Sequence, residues 1–193
     1  MATKKEISLK RYLQDYGFLL GGAGIVIFLD QWTKALVRNS LPLGGTWMPW
    51  EWLQPYARIV HWYNTGAAFG LFQNGALVFT ILAIIVAGLI LYYFPRTSPS
   101  DWTLRLAMGL QLGGALGNLV DRLTRGGQVT DFISIGSFPV FNVADASITV
   151  GVAVLLFGAW LMEKKDKCAK EQGNTGAEEP GGRGAEEPVS RGE

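Results

Sequence analysis

Cysteine and histidine are almost missing from this chain of 193 residues, which holds one of each, Cys168 and His61. A lone cysteine excludes an internal disulfide and any cysteine-based zinc site. A lone histidine excludes the two histidines on one helix that a His-Glu-x-x-His metalloprotease needs. Charge is scarce too. Asp, Glu, Lys and Arg make up 17% of the residues, against about 25% in an ordinary soluble domain. The net charge of +1 leaves no basic field for a nucleic acid. No metal, cofactor or nucleic-acid partner is therefore expected.

Apolar length stands where charge is missing: 49% of the residues are hydrophobic and the mean hydropathy is +0.20. Residues 76–94 run without a charge; as a helix they reach roughly 28 Å, close to the thickness of a hydrocarbon core. Three more segments read as spans: 17–29, continuing through 30–37 with polar residues embedded, 102–120, and 143–162. The expected fold is an α-helical integral membrane protein with four transmembrane helices. Lys4, Lys5, Lys10 and Arg11 precede the first span, Arg96 and Arg105 flank the link between the second and third, and Lys164, Lys165 and Lys167 follow the fourth. Arg38, Arg58, Arg122 and Arg125 are spread over much longer loops on the other side. The positive-inside rule places both termini in the cytoplasm.

Residues 1–162 are expected to form the membrane domain, and 163–193 a disordered cytoplasmic tail. The tail repeats Gly-Ala-Glu-Glu-Pro at 176–180 and 184–188, a composition with too little apolar surface to offset the entropy of ordering. The loop of residues 39–74 is extracytoplasmic on this orientation and carries Trp47, Trp50, Trp52 and Trp62, which suit the headgroup level. Residues 58–63 have strand-like composition, so a small sheet lying on the membrane is expected there.

The embedded polar residues gather at the outer ends of the spans. Asp30 and Lys34 lie one turn apart on the first span, and such a pair inside a membrane is either a structural clasp or a site. The clasp is favoured, because Gln31 and Thr33 offer further local partners. On the third span Gly114, Asn118 and Asp121 or Arg122 form one stripe, while Gly113 and Gly117 allow a neighbouring helix to approach closely. Glycine packing does not explain Asn118, Asp121 and Arg122. Asn142 can cap the fourth span and Asp145 falls in its first turn, where an acidic group has a plain capping rationale. Asp131 lies in the connection before it. Taken singly these are ordinary residues, but together two carboxylates are held at one membrane face. Two carboxylates in a partly desolvated site cannot both ionise, and the pair then offers the base and the acid that peptide hydrolysis without a metal needs.

Five segments carry a resemblance: Asp30-Gln-Trp-Thr-Lys34, Asn64-Thr-Gly-Ala-Ala-Phe-Gly70, Gly113-Gly-Ala-Leu-Gly-Asn-Leu-Val-Asp-Arg122, Val129-Thr-Asp-Phe132 and Phe141-Asn-Val-Ala-Asp145. In this order, between four spans, they resemble the lipoprotein signal peptidases (signal peptidase II) over residues 15–162. The resemblance implies an aspartic endopeptidase of the bacterial cytoplasmic membrane that cleaves prolipoproteins before their diacylglyceryl-cysteine and is blocked by globomycin. It puts the catalytic pair on Asp131 and Asp145, substrate contacts on Asn64, Asn118, Arg122 and Asn142, and supporting acids on Asp30 and Asp121, with Lys34 beside them. Prolipoproteins and membrane lipid are the implied partners, and a monomer is expected. Among rivals, a presenilin-type protease lacks its Gly-x-Gly-Asp motif here. A Ser147–Lys34 dyad lacks a nucleophile elbow. An ion path would need acids continuing into the inner half of the bilayer.

Overall fold

A chain that must satisfy its own backbone away from water has one local solution, the helix, and each apolar segment adopts it. The computed structural model describes residues 9–66 and 75–175. Its helices are α1 (Leu9–Ser40), α2 (Ala76–Tyr93), α3 (Trp102–Thr124) and α4 (Val143–Thr175). Three stretches, Arg11–Ser40, Ala76–Arg96 and Val143–Lys164, are long and apolar enough to cross a membrane. The segment expected as the third span is a helix of different character. α3 carries Arg105, Gln111, Asn118, Asp121 and Arg122, and its buried positions run from Thr103 to Asp121, so it is the element the others pack around.

The glycines of α3 explain how they pack. A methyl on Gly113 would lie 2.6 Å from Val26 Cβ of α1, and one on Gly114 would lie 2.5 Å from the Ala144 carbonyl oxygen of α4. One on Gly117 would lie 2.9 Å from Asp30 Oδ2. The seam expected at Gly113 and Gly117 thus continues through Gly114 onto a second helix. Leu19, Ala23, Ala87, Ile90, Phe94 and Leu112 form the apolar core where α1, α2 and α3 meet. Near that core Arg105 is buried rather than flanking, 2.6 Å from Asp15 and 4.4 Å above the Phe94 ring.

A three-stranded antiparallel sheet joins the helices, in the order β1 (Thr46–Trp47), β2 (Ala57–Asn64), β3 (Val129–Ile135). β2 covers the segment with strand-like composition. β3 comes from the α3–α4 connection, which reads as a loop in the sequence; its Val, Thr, Phe and Ile residues suit a strand. The register pairs Asn64 with Val129 and Trp62 with Asp131 and shifts between Ile59 and Trp62. After β3 the chain turns at Gly136, whose φ is +51°, and Phe141 bridges back to Ile133. That short return brings residue 142 beside residue 131. Trp47, Trp50, Trp52 and Trp62 are all exposed.

Among the described residues, those up to Gly158 form one compact unit and those from Ala159 a second. In the second unit α4 runs to Thr175, past the boundary expected after Met162. The residues there are strong helix formers, and a Glu163–Lys167 pair at 2.7 Å spans one turn. The repeated motif at 176–193, Lys4, Lys5 and residues 67–70 of the segment beginning at Asn64 lie outside the described residues.

Candidate active site

The site is built on the first turn of α4. Asn142 Oδ1 accepts the Asp145 backbone N–H at 3.0 Å, and Asp145 Oδ2 accepts the Asn142 N–H at 3.2 Å. This is a reciprocal cap with Asp in the usual Glu position. Asp145 therefore does cap its helix, but with one oxygen only. Its Oδ1 accepts from Asn118 Nδ2 of α3 at 2.7 Å, and the side chain is half-buried.

Asp131 sits on β3, 2% exposed. Asn142 Nδ2 donates to its Oδ1 at 2.7 Å, and Asn64 Nδ2, across the sheet on β2, donates to its Oδ2 at 3.0 Å. Asn142 thus touches both carboxylates. Burial is the larger force on Asp131, followed by the charge of Asp145; together they push its pKa up to about 7 against the opposing pull of the two asparagine amides.

Behind the two aspartates lies a buried ionic cluster. Lys34 and Asp30 are 0% exposed, as is Asp121. The Lys34 ammonium has three protons and three acceptors: Asp30 Oδ2 at 2.8 Å, Asn118 Oδ1 at 3.0 Å and Asp121 Oδ2 at 3.3 Å. Because Lys34 can only donate, the oxygen of the Asn118 amide must face it, which turns the amide N–H groups toward Asp145. The acids hold backbone: Asp30 Oδ1 accepts the Ala144 N–H at 2.9 Å, and Asp121 Oδ2 accepts the Thr130 N–H at 3.0 Å. Ala144 precedes Asp145 and Thr130 precedes Asp131. Each member of the pair is therefore anchored one residue upstream by an acid that Lys34 neutralises.

The Asp30–Lys34 clasp is present, and it is larger than two residues on one helix. Gln31 joins it, donating to Asp30, Asp121 and the Gly117 carbonyl. Thr33 does not, since its hydroxyl bonds back to Leu29 and Asp30 carbonyls. Arg38 belongs to the cluster although the sequence reading gave it no site role. It lies 3.8 Å from Asp121 and donates to Thr130 Oγ1 at 3.0 Å; its place one turn after Lys34 is the signal that could have found it. On α3 the stripe divides. Asp121 faces Lys34, whereas Arg122 lines the cleft with its guanidinium 5.5 Å above Phe79 of α2. Ser147 and Lys34 are not a dyad, because the serine hydroxyl donates to the Leu110 and Ala144 carbonyls.

Asn64, Asn118, Arg122, Asp131 and Asp145 all line one cleft of about 740 Å³, walled otherwise mostly by apolar residues of α2, α3 and α4 and by the turn at Phe138, with Gln111 and Thr149 the other polar side chains on it. Two carboxyl groups thus open onto a largely apolar cleft, held by amides and a buried cation. Among the described residues no cluster of three or more His, Cys, Asp or Glu side chains could hold a metal ion.

The family model described as "Signal peptidase (SPase) II" matches residues 22–161. The lipoprotein signal peptidase of Shouchella clausii (strain KSM-K16) is 39% identical over 147 residues, 74% of this chain and 93% of that protein. That of Geobacillus kaustophilus (strain HTA426) is 43% identical over 139 residues, 70% of this chain and 87% of that protein. A solved structure described as a bacterial membrane enzyme, determined by the in meso method at 2.3 Å resolution, superposes with a TM-score of 0.70. It is 30% identical, and the match covers 78% of this chain and 92% of that one.

Proposed function

The chain belongs to the signal peptidase II family, the aspartic peptidases that remove signal peptides from prolipoproteins, and from that premise we propose that Asp131 and Asp145 are its catalytic pair. The observation that carries this is their shared position. Both carboxyl groups line one apolar cleft, both touch Asn142, and Asp131 is raised to about 7. Near neutral pH such a pair holds one proton between its members. The ionised member takes a proton from water as its oxygen attacks the scissile carbonyl carbon. The protonated member gives its proton to the leaving nitrogen as the C–N bond breaks. The pair again holds one proton afterwards, with the roles exchanged.

Asn64, Asn118 and Asn142 set the carboxyl orientations, and Arg122 offers fixed donors to substrate carbonyls at the cleft mouth. Lys34, Asp30 and Asp121 hold the backbone on which the pair stands. The fold is that of a membrane protein, and the further reading is four spans with both termini in the cytoplasm of a bacterial cell. The cleft mouth and the sheet then face the extracytoplasmic side of the inner membrane. The charge distribution supports it, as do the exposed tryptophans beside the sheet. The peptidase works as a monomer, taking a diacylglyceryl-modified prolipoprotein from surrounding lipid, and residues after 162 lie outside the catalytic domain.

The test is a purified-protein assay on a diacylated lipobox peptide, with product masses read with and without EDTA. A single cut before the lipidated cysteine, unchanged by chelator, is expected. Cleavage elsewhere, none at all, or loss on chelation restored by zinc would overturn the reading.

A further inference from the structure

The deep part of the cleft holds a polar group that the catalytic arrangement leaves unused. Gln111 lies on α3 seven residues before Asn118, roughly 10 Å along the helix toward its N-terminus. Its side chain is half-buried and lines the cleft, and among the described residues its amide has no hydrogen-bond partner. The other deep polar group is spent. Thr149, the hydroxyl that lines the cleft, donates to the Asp145 carbonyl. The walls around Gln111, including Leu82, Val86 and Ile148, are apolar. The amide is open to whatever fills the cleft, and an apolar occupant would bury it unmet at a cost.

A substrate cleaved between Asp131 and Asp145 must leave helical geometry near the scissile bond, because a peptide bond inside a helix is not open to attack. The residues just upstream then carry backbone N–H and C=O groups without helical partners, in a cleft that offers little water. On the orientation given above, those upstream residues run down the cleft past Gln111. At about 3.3 Å per residue of extended chain, roughly 10 Å corresponds to about three residues.

We propose that Gln111 is a substrate-binding residue that hydrogen-bonds the substrate backbone about three residues before the scissile bond, its N–H₂ to a carbonyl and its oxygen to an N–H. This rests on the catalytic pair and orientation proposed above. The contact reads the main chain and not a side chain, so it lets one cleft hold many signal sequences in the unwound form.

The experiment compares the full-length protein with Gln111→Leu on a diacylated lipobox peptide and on a series in which one upstream amide at a time, from the second to the fourth, is an ester. Gln111→Met, which keeps the unbranched stem beside Gly151, is run in parallel should leucine disturb that contact. The variants should raise KM about tenfold with kcat within twofold. The parent should lose about tenfold in kcat/KM at one ester position, and the variants should be indifferent to it. A folded variant with parental KM, or one with the parent's ester sensitivity, would overturn this inference alone. A parent that fails to cut the all-amide peptide would overturn the peptidase reading and this inference with it.

Discussion

Lys34→Met removes the cation at the centre of the site and keeps most of the stem that packs around it. The ammonium is wholly buried and bonds Asp30, Asn118 and Asp121 within 3.3 Å. Without it Asp121 keeps Arg125 at 3.4 Å and Arg38 at 3.8 Å, but Asp30 has no other ion pair among the described residues. Removing one partner of a buried pair costs about 3–5 kcal/mol, because the other charge stays buried. A domain has only about 5–15 kcal/mol of net stability, so the loss should be plain in equilibrium unfolding in mixed micelles. The cost has a partial remedy. Asp30→Asn removes the stranded charge yet keeps an oxygen for the Ala144 N–H, so the double variant should be more stable than Lys34→Met alone. Activity should stay low in both, since Asn118 loses the donor that orients it. A Lys34→Met protein within about 1 kcal/mol of the parent, or a double variant less stable than the single, would refute the reasoning.

Gly114→Ala puts a methyl against the Ala144 carbonyl, Ile148 and Ser147, backbone and buried side chain alike. It should cost about 1–3 kcal/mol and, by moving the first turn of α4, lower turnover more than binding, as a kcat-against-KM comparison would reveal. The pKa of Asp131 is raised to about 7 by burial, so between the ordinary carboxylate value and 7 the folded state binds more protons than the unfolded one. Stability should therefore fall as pH rises through about 4 to 7, by a few kcal/mol, and level off above; unfolding titrations of Asp131→Asn should show a clearly smaller fall.

The helices were legible because the bilayer imposes a length and a composition that a sequence shows directly. β2 was legible from its Arg58–Tyr63 composition. β3 was not, because Val129–Ile135 is short and its partner lies more than sixty residues earlier, so nothing local marks it as the strand that carries Asp131 against Asn64. The rivalry between capping and a site role for Asp145 also takes a different form in the structure. One oxygen serves the cap and the other faces Asn118, a division of labour that spacing alone cannot express. Similarly, Asp30 and Lys34 at i and i+4 read as a local pair. Their main work is to reach α3 and the start of α4, which needs the tertiary fold to be seen. α4 continues past Met162 to Thr175, since Glu and Lys at helical spacing serve a helix as readily as a solvated coil.

If Asp131 and Asp145 act as one catalytic unit, asparagine is the replacement that tests it. In Asp145→Asn the new side chain still offers an oxygen to the Asn142 N–H or to Asn118, so the structural loss is one accepted hydrogen bond, about 1 kcal/mol, and near zero at the cap itself. Neither replacement can exchange a proton at these pH values. Asp131→Asn, Asp145→Asn and the double variant should each fold in detergent, and their cleavage rates on diacylated lipobox peptide should be measured side by side. Each single variant should lose activity almost completely, with the double hardly worse, because a lone acid cannot serve as both base and acid in one cycle. A folded Asp145→Asn or Asp131→Asn protein that cleaves at near the parental rate would contradict the account.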